Sequence, residues 1–319
     1  MDNIDKKILY ELDKNSKDSF LKIGKKIRVS KETVRYRFER LIKEGIIDKM
    51  PTIINSSILG YSYYQLFLKL QNINTQKKEE IIKFLIKNTK ISWIGDLEGR
   101  YDLGIILVIK SQEEIRELME EINKKFKSII MKKSLSINLE GEFLNRSYLI
   151  ESKREISENK NYIQNKREEI IDSKDEIICK ELAKDSRISY VELSKKIKLS
   201  ADAILVRVKK LIQREIIKKP LLIINNEKIN QQHYKILFYL TKTDKEQISR
   251  LISSIKLNNR VISLVKVLAE WDYEVDIEIE KMNQLKEFLM NLTDSFSDLI
   301  RDYEILRINN MPKYNFYPL

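Results

Sequence analysis

Two short runs hold the side chains whose types and spacing point most directly to chemistry. In KETVRYRFER they are Lys31, Thr33, Arg35, Tyr36, Arg37 and Arg40, and in ADAILVRVKK they are Arg207, Lys209 and Lys210. Lysine and arginine neutralise phosphates, whereas reading a base edge needs donors and acceptors carried into a groove. Such groups act together only if one rigid face presents them. At roughly 100° per residue, Val34, Phe38 and Leu41 make a single apolar stripe. Glu32, Thr33, Tyr36, Glu39 and Arg40 project away from it, and Lys31, Arg35 and Arg37 flank it. This predicts a recognition helix with Thr33, Tyr36 and Arg40 nearest the bases.

The elements that must position that helix are legible around it. Ser19 can cap a short helix with Leu21, Ile23 and Ile27 inward, residues 28–30 supply a tight turn, and Ser30 caps the next helix, which Gly45 ends. In a single copy, an amphipathic hairpin with a solvated basic face reads the same way. Recurrence argues otherwise. The unit at 19–47 returns without a gap at 189–217, so that Ser30, Val34, Arg37, Phe38 and Leu41 become Ser200, Ile204, Arg207, Val208 and Leu211. The charge follows the repeat: residues 1–50 carry 14 Lys and Arg against 9 Asp and Glu, residues 171–220 carry 13 against 8, and 221–319 carry 13 against 14. A net +12 that sits mostly on the two units favours a polyanionic partner over a general solubility surplus.

Periodicity organises the remainder. A first helix spans 4–15, and residues 46–54 are too β-branched for helix and predict a two-stranded wing or an extended crossover, with Pro51 confining them to an edge. Strands at 63–70, 92–97, 101–109 and 129–139, with helices at 76–87 and 111–127, give the order β-α-β-β-α-β, the ferredoxin-like arrangement. Alternation such as Leu103, Ile105, Leu107 leaves both sheet faces partly apolar, so something must cover the second face. The same order repeats in the second half, aligning Tyr64 with Tyr234, Asp102 with Asp272 and Phe126 with Phe296. The expected fold is α+β: two tandem copies of a winged helix-turn-helix followed by a βαββαβ domain. Boundaries fall at 1–55, 60–144, a charged linker with helical character at 145–170, 171–225 and 230–319.

A helix-turn-helix joined to β-α-β-β-α-β resembles the Lrp/AsnC family of feast/famine transcription regulators. The resemblance is carried by Ile4-Asp5-Lys6-Lys7-Ile8-Leu9, the 19–47 unit and the hairpin Gly99-Arg100-Tyr101-Asp102, and both halves share it. It implies a sequence-specific DNA-binding transcription regulator with double-stranded DNA as partner. It also implies a small effector, often an amino acid, bound near the hairpin at Gly95, Asp96, Gly99 and Asp102. Family members commonly pair through their sheets, and usually hold one copy per chain. Here both sheets belong to one chain, so the expectation is an intramolecular pseudo-dimer, with higher homo-oligomers open and both helix-turn-helix units on one side. All seven glycines, Gly24, Gly45, Gly60, Gly95, Gly99, Gly104 and Gly141, lie in the first half. That asymmetry favours a ligand site there, or else reflects drift toward sturdier strands in the second half. The second recognition helix has Ala203, Leu205 and Val206 where the first has Thr33, Arg35 and Tyr36, so the first is the better reader.

Other chemistries find little support. One histidine, His233, and one cysteine, Cys179, argue against a metal site or a disulfide, and a single thiol suits a reducing cytoplasm. No Gly-x-Gly phosphate loop and no Ser-His-Asp set is present, so no cofactor and no catalytic residue is expected. The start MDNIDKKILYEL is not a signal peptide, and no apolar run approaches a membrane span. Siroheme decarboxylase subunits are similar in architecture and are enzymes, but their hairpin is rich in His and Arg, and here 92–102 offers only Arg100. A regulator that senses no small molecule and acts through other proteins is the further alternative.

Overall fold

The computed structural model describes residues 1–127, 129–154, 161–163, 168–241 and 244–317. Caps open each helix of the first unit. The Asp2 carboxylate accepts from the Ile4 and Asp5 amides at the start of α1 (Asn3–Lys14), Ser19 opens α2 (Phe20–Ile27), and Ser30 opens α3 (Lys31–Lys43). Arg28, in left-handed backbone at φ 61°, makes the turn between α2 and α3. Two short strands follow, β1 (Ile47–Lys49) and β2 (Thr52–Ile54). The first βαββαβ domain is β3 (Ser62–Leu70), α4 (Thr75–Lys87), β4 (Ile91–Glu98), β5 (Leu103–Ile109), α5 (Glu113–Lys125) and β6 (Ile130–Phe143).

Where it is described, the connection differs from the helical linker expected at 145–170. Its described parts are a 3-10 turn at Ser147–Ile150 and β7 (Tyr162–Ile163), which pairs with β6; residues 155–160 and 164–167 lie outside the described residues. Tertiary anchors override local helix propensity here. Arg154 donates to the carbonyls of Asn145, Lys256, Asn258, Asn259 and Val261, pinning the segment to the end of a helix in the other half. The second half repeats the first: α6 (Ser173–Lys184), α7 (Tyr190–Ile197), α8 (Ala201–Gln213), β8 (Ile217–Pro220) and β9 (Ile223–Ile224). Then come β10 (Gln232–Leu240), α9 (Lys245–Leu257), β11 (Val261–Leu268), β12 (Tyr273–Ile279), α10 (Met282–Ser295) and β13 (Ile300–Tyr314).

The two sheets join at both edges. The strand order is β11-β12-β10-β13-β4-β5-β3-β6, and β6 returns to pair with β11, which closes the ring antiparallel throughout. Closure answers what covers the second sheet face and leaves no open edge on these strands. The register also records the duplication: Leu97 lies opposite Ile308, and Val267, 170 positions after Leu97, lies opposite Asn138, 170 before Ile308. Helices α4 and α5 pack Ile81, Leu85, Leu118 and Ile122 against one sheet, and α9 and α10 pack Leu251, Ile255, Leu285 and Leu292 against the other. Between the sheets lie Phe67, Trp93, Tyr101, Leu237, Tyr239, Trp271 and Leu306.

Of the wing and the crossover, the chain adopts the crossover. β1 pairs with β9 and β2 with β8, so each short strand finds its partner in the other half. The helical cores are exchanged as well. Ile8, Leu9 and Leu12 of α1 pack with Tyr148, Leu222 and Ile224, whereas Ile178, Cys179 and Leu182 of α6 pack with Ile54, Ile58 and Leu59. Burial pushes the Cys179 thiol up to about 12, so it behaves as a small apolar filler. The two units also touch directly. Ser16 and Ser186, 170 apart, share a buried 2.7 Å hydrogen bond, and Arg187 lies over the rings of Phe20 and Phe38. Lys17, the counterpart of Arg187, donates to the Tyr190 hydroxyl at 3.0 Å. Among the described residues, no helix is long and apolar enough to cross a membrane.

Candidate functional site

On α3 the stripe Val34, Phe38 and Leu41 is buried, and the opposite face is open. Tyr36 is 68% exposed, and Lys31 is exposed with no ion-pair partner among the described residues. Thr33 turns its hydroxyl to the capping Ser30 at 2.9 Å, and Arg35 pairs with Glu39 along the helix at 2.9 Å. Arg37 and Arg40 are engaged more firmly. Arg37 reaches Asp2 at 2.5 Å and Asp5 at 3.0 Å, and Arg40 reaches the other Asp5 oxygen at 2.6 Å, so both guanidinium groups hold α3 to the start of α1. Arg207 repeats this with Asp172 and Asp175. Lys209 and Lys210 are exposed and, among the described residues, unpaired. The geometry also adds candidates. Lys25 and Arg28 beside the first turn, and Lys195 and Lys198 beside the second, are exposed, and their recurrence at matching positions was the available signal.

The hairpin residues are committed to structure. Asp96 pairs with Lys78 at 2.5 Å. Asp102 accepts from the Leu70 amide at 2.7 Å and from Lys69 at 3.0 Å, and its counterpart Asp272 accepts from the Leu240 amide at 2.7 Å. One carboxylate per half therefore clamps the hairpin to the neighbouring strand. Gly99, at φ 133°, makes a turn that side chains resist. Gly95 has a packing reason: a Cβ there would lie 2.3 Å from the Trp93 ring, and one at Gly104 would lie 2.8 Å from it. The missing side chains make a bed for the indole. In the second half Ser263 replaces Trp93, and Val265 and Glu274 fill the two glycine positions. Gly95→Ala should cost about 1–3 kcal/mol by overpacking. In a denaturant-unfolding double-mutant cycle, most of that cost should vanish in a Trp93→Ser background; additive costs would break the link.

Inside the ring, the two halves contribute opposite chemistry. The inward positions of β3 and β5 are Tyr63, Gln65, Phe67, Gly104, Ile106 and Val108; those of β10 and β12 are His233, Lys235, Leu237, Glu274, Asp276 and Glu278. Lys235 lies 3.0 Å from Glu274 and 2.9 Å from Asp276; Lys235 and Glu274 are buried and Asp276 is partly buried. Burial disfavours the Lys235 ammonium, but the two carboxylates more than offset it and raise its pKa. Burial and its charged neighbours leave His233 below its ordinary value, hence neutral at pH 7. Nearer the helices, Arg146 bridges Asp13 of α1 at 2.7 Å and Glu278 of β12 at 2.8 Å, and Tyr148 donates to Glu278 at 2.6 Å. A cavity of about 120 Å³ touches Asp13, Gln65, Trp93, Arg146, Lys235 and Asp276. The sequence reading missed this interior. Its signal was the alternation Glu274, Asp276, Glu278, which reads as a solvated face until the ring is known to be closed.

Comparisons with known proteins fit this architecture. The AsnC-type helix-turn-helix domain matches residues 1–42 and again 171–212. The HTH-type transcriptional regulator Ptr1 of Methanocaldococcus jannaschii is 34% identical over 121 residues, 38% of this chain and 80% of that protein. The chain belongs to the AsnC-type family of transcription regulators. A further family relative, the HTH-type transcriptional regulator FL11 of Pyrococcus furiosus, is 29% identical over 122 residues, 38% of this chain and 80% of its own length. Each of these relatives corresponds to one half of the AsnC-type chain, as a duplication requires. Across its whole length the chain is similar to the siroheme decarboxylase NirDL, with TM-score 0.62 and 14% identity over 98% of this chain and 93% of that one. At that identity the likeness is one of fold.

Proposed function

We propose that this AsnC-type protein regulates transcription by binding double-stranded DNA through both helix-turn-helix units at once, with a small effector acting through the paired sheets. The observation that carries the reading is the direct junction of the two units through Ser16, Ser186, Arg187 and Lys17. It fixes two basic heads relative to each other, and a fixed pair suits two half-sites on one duplex. Lys31, Tyr36, Lys25 and Arg28 supply the open groups of the first head. Lys195, Lys198, Lys209 and Lys210 supply charge for phosphates on the second, where Val206 replaces Tyr36 and lessens base reading. The enzymatic alternative rests on shared fold.

Selection from random duplexes, followed by titration, tests this. Affinity should fall with salt at a log-log slope of about −0.9 per neutralised phosphate. Tyr36→Ala should relax sequence preference, whereas Lys209→Ala with Lys210→Ala should weaken all sequences alike. Arg40→Ala should act through stability, since its partner is Asp5. Inserting about 5 base pairs between half-sites turns one off the face that the protein meets, and should lower affinity sharply. Salt-independent binding, or indifference to the insertion, would sink the two-headed reading.

A further inference from the structure

The cavity between the two sheets has an apolar and aromatic wall where Trp93, Ile106, Val265, Tyr314 and Phe316 meet. Its remaining wall is polar and incompletely satisfied. Gln65 Nε2, Asn138 Oδ1 and His233 Nε2 have no hydrogen-bond partner among the described residues, although their side chains are 1%, 2% and 7% exposed. The nearest charge to His233 Nε2 is Asp276, at 3.9 Å. Buried polar atoms are nearly always partnered in folded proteins, so three around one cavity point to a polar visitor.

Volume and charge restrict that visitor. An apolar protein cavity of about 150 Å³ takes up benzene, so one of about 120 Å³ suits a single ring at most. Both interior cations are already engaged, each by two carboxylates: Lys235 by Glu274 and Asp276, Arg146 by Asp13 and Glu278. An incoming anionic group, the carboxylate of an amino acid included, finds no unused cation. We propose that this cavity binds a small uncharged aromatic molecule carrying one hydroxyl or amide group. The ring lies against Trp93 and Tyr314, and the polar group meets Gln65, Asn138 or His233. Asp13, in the last turn of α1, and Arg146, which clamps it, line the same cavity, so occupancy and the seating of the first helix-turn-helix share atoms. The consequence for DNA rests on the regulator reading; ligand binding does not.

Phenol and benzyl alcohol serve as probes, with benzene, L-phenylalanine and L-methionine as contrasts. Binding is followed by thermal shift and by tryptophan fluorescence, which reports Trp93 in the wall. Saturable binding of phenol or benzyl alcohol, with no response to the amino acids, is expected. Val265→Phe fills the space and should abolish binding while circular dichroism stays native. Gln65→Leu keeps the volume and should reduce the preference for phenol over benzene roughly fivefold, the worth of one neutral hydrogen bond. The proposal is overturned by absence of saturable binding, by unchanged affinity in folded Val265→Phe, or by tighter binding of an amino acid. If Val265→Phe does not fold, an unchanged phenol-to-benzene ratio in Gln65→Leu overturns it. With phenol bound, unaltered DNA affinity overturns the coupling to the first unit. A protein that binds phenol but no DNA overturns the regulator reading and leaves the site standing.

Discussion

Replacing Lys235 by Met should destabilise the fold by about 3–5 kcal/mol, the cost of leaving buried charges without their partner. Lys235 is the cation between Glu274 and Asp276; it and Glu274 are buried, and Asp276 is partly buried. The first half shows what the site looks like without ions, because Gln65, Gly104 and Ile106 stand at the corresponding positions. Lys235→Met, Glu274→Met and Asp276→Ile together should lie within about 1–2 kcal/mol of the parent, since apolar replacement of a whole buried ion cluster is near neutral. The pH response separates the two. In the parent, burial pushes Asp276 up, but Lys235, His233 and Ser263 more than offset this and hold it below the usual carboxylate range. Its contribution is present above the unfolded value of about 3.9 and is lost as pH falls through the folded one. Without the ammonium, burial and mutual repulsion raise both carboxylates, so the folded variant binds protons that the unfolded chain has released. Burial already holds Glu274 above its ordinary value in the parent, so Lys235→Met should gain more stability between pH 7 and pH 5 than the parent does. Urea unfolding at both values reads the difference; a parallel pH trend would show that the ion cluster is not the cause.

How far the sequence reaches is clearest at this cluster. Local order was legible because each element obeys a local rule: Asp2, Ser19 and Ser30 cap helices, and Val34, Phe38 and Leu41 mark a buried stripe. The gapless offset made the duplication legible, and with it the pairing of the sheets. Three features depended on contacts between distant segments. The strands after each helix-turn-helix cross to the other half because the closed ring brings 47–54 beside 217–224. The glycines of the first half serve Trp93, a relation invisible until β4 and β5 are paired in register. The alternation on β12 looks like one wet face and one dry face, and closure makes both faces dry.

The DNA-facing residues show the same limit. Periodicity places Tyr36, Arg37 and Arg40 outside the stripe on α3, but it is blind to α1, whose Asp2 and Asp5 take both guanidinium groups. A basic residue on a recognition helix is free only where no acidic cap of a neighbouring helix lies within reach. By that criterion Lys31 and the turn residues Lys25 and Arg28 gain weight, and Arg37 becomes a brace.

The other large effect is expected at Arg146, where one substitution should loosen one head and spare the other. Arg146 sits between Asp13 of α1 and Glu278 of β12, and Tyr148 and Asn226 also bond to Glu278. Burial opposes the guanidinium charge, yet the two carboxylates hold its pKa well above the ordinary value, so it is a permanent cation. Arg146→Met leaves two buried acids facing each other and should cost about 3–5 kcal/mol. The matching seam under the second helix-turn-helix has Ala183, Val108 and Phe316 at the positions of Asp13, Glu278 and Arg146, and is apolar. It has no ions to lose. Hydrogen exchange should therefore speed up in α1 of Arg146→Met while α6 keeps its protection, and DNA affinity should fall through the first head. Converting the charged seam to its counterpart, with Asp13→Ala, Arg146→Phe and Glu278→Val, should restore most of the stability. Equal loss of protection in α1 and α6, or no recovery in the triple variant, would mean that Arg146 supports the ring as a whole rather than one seam.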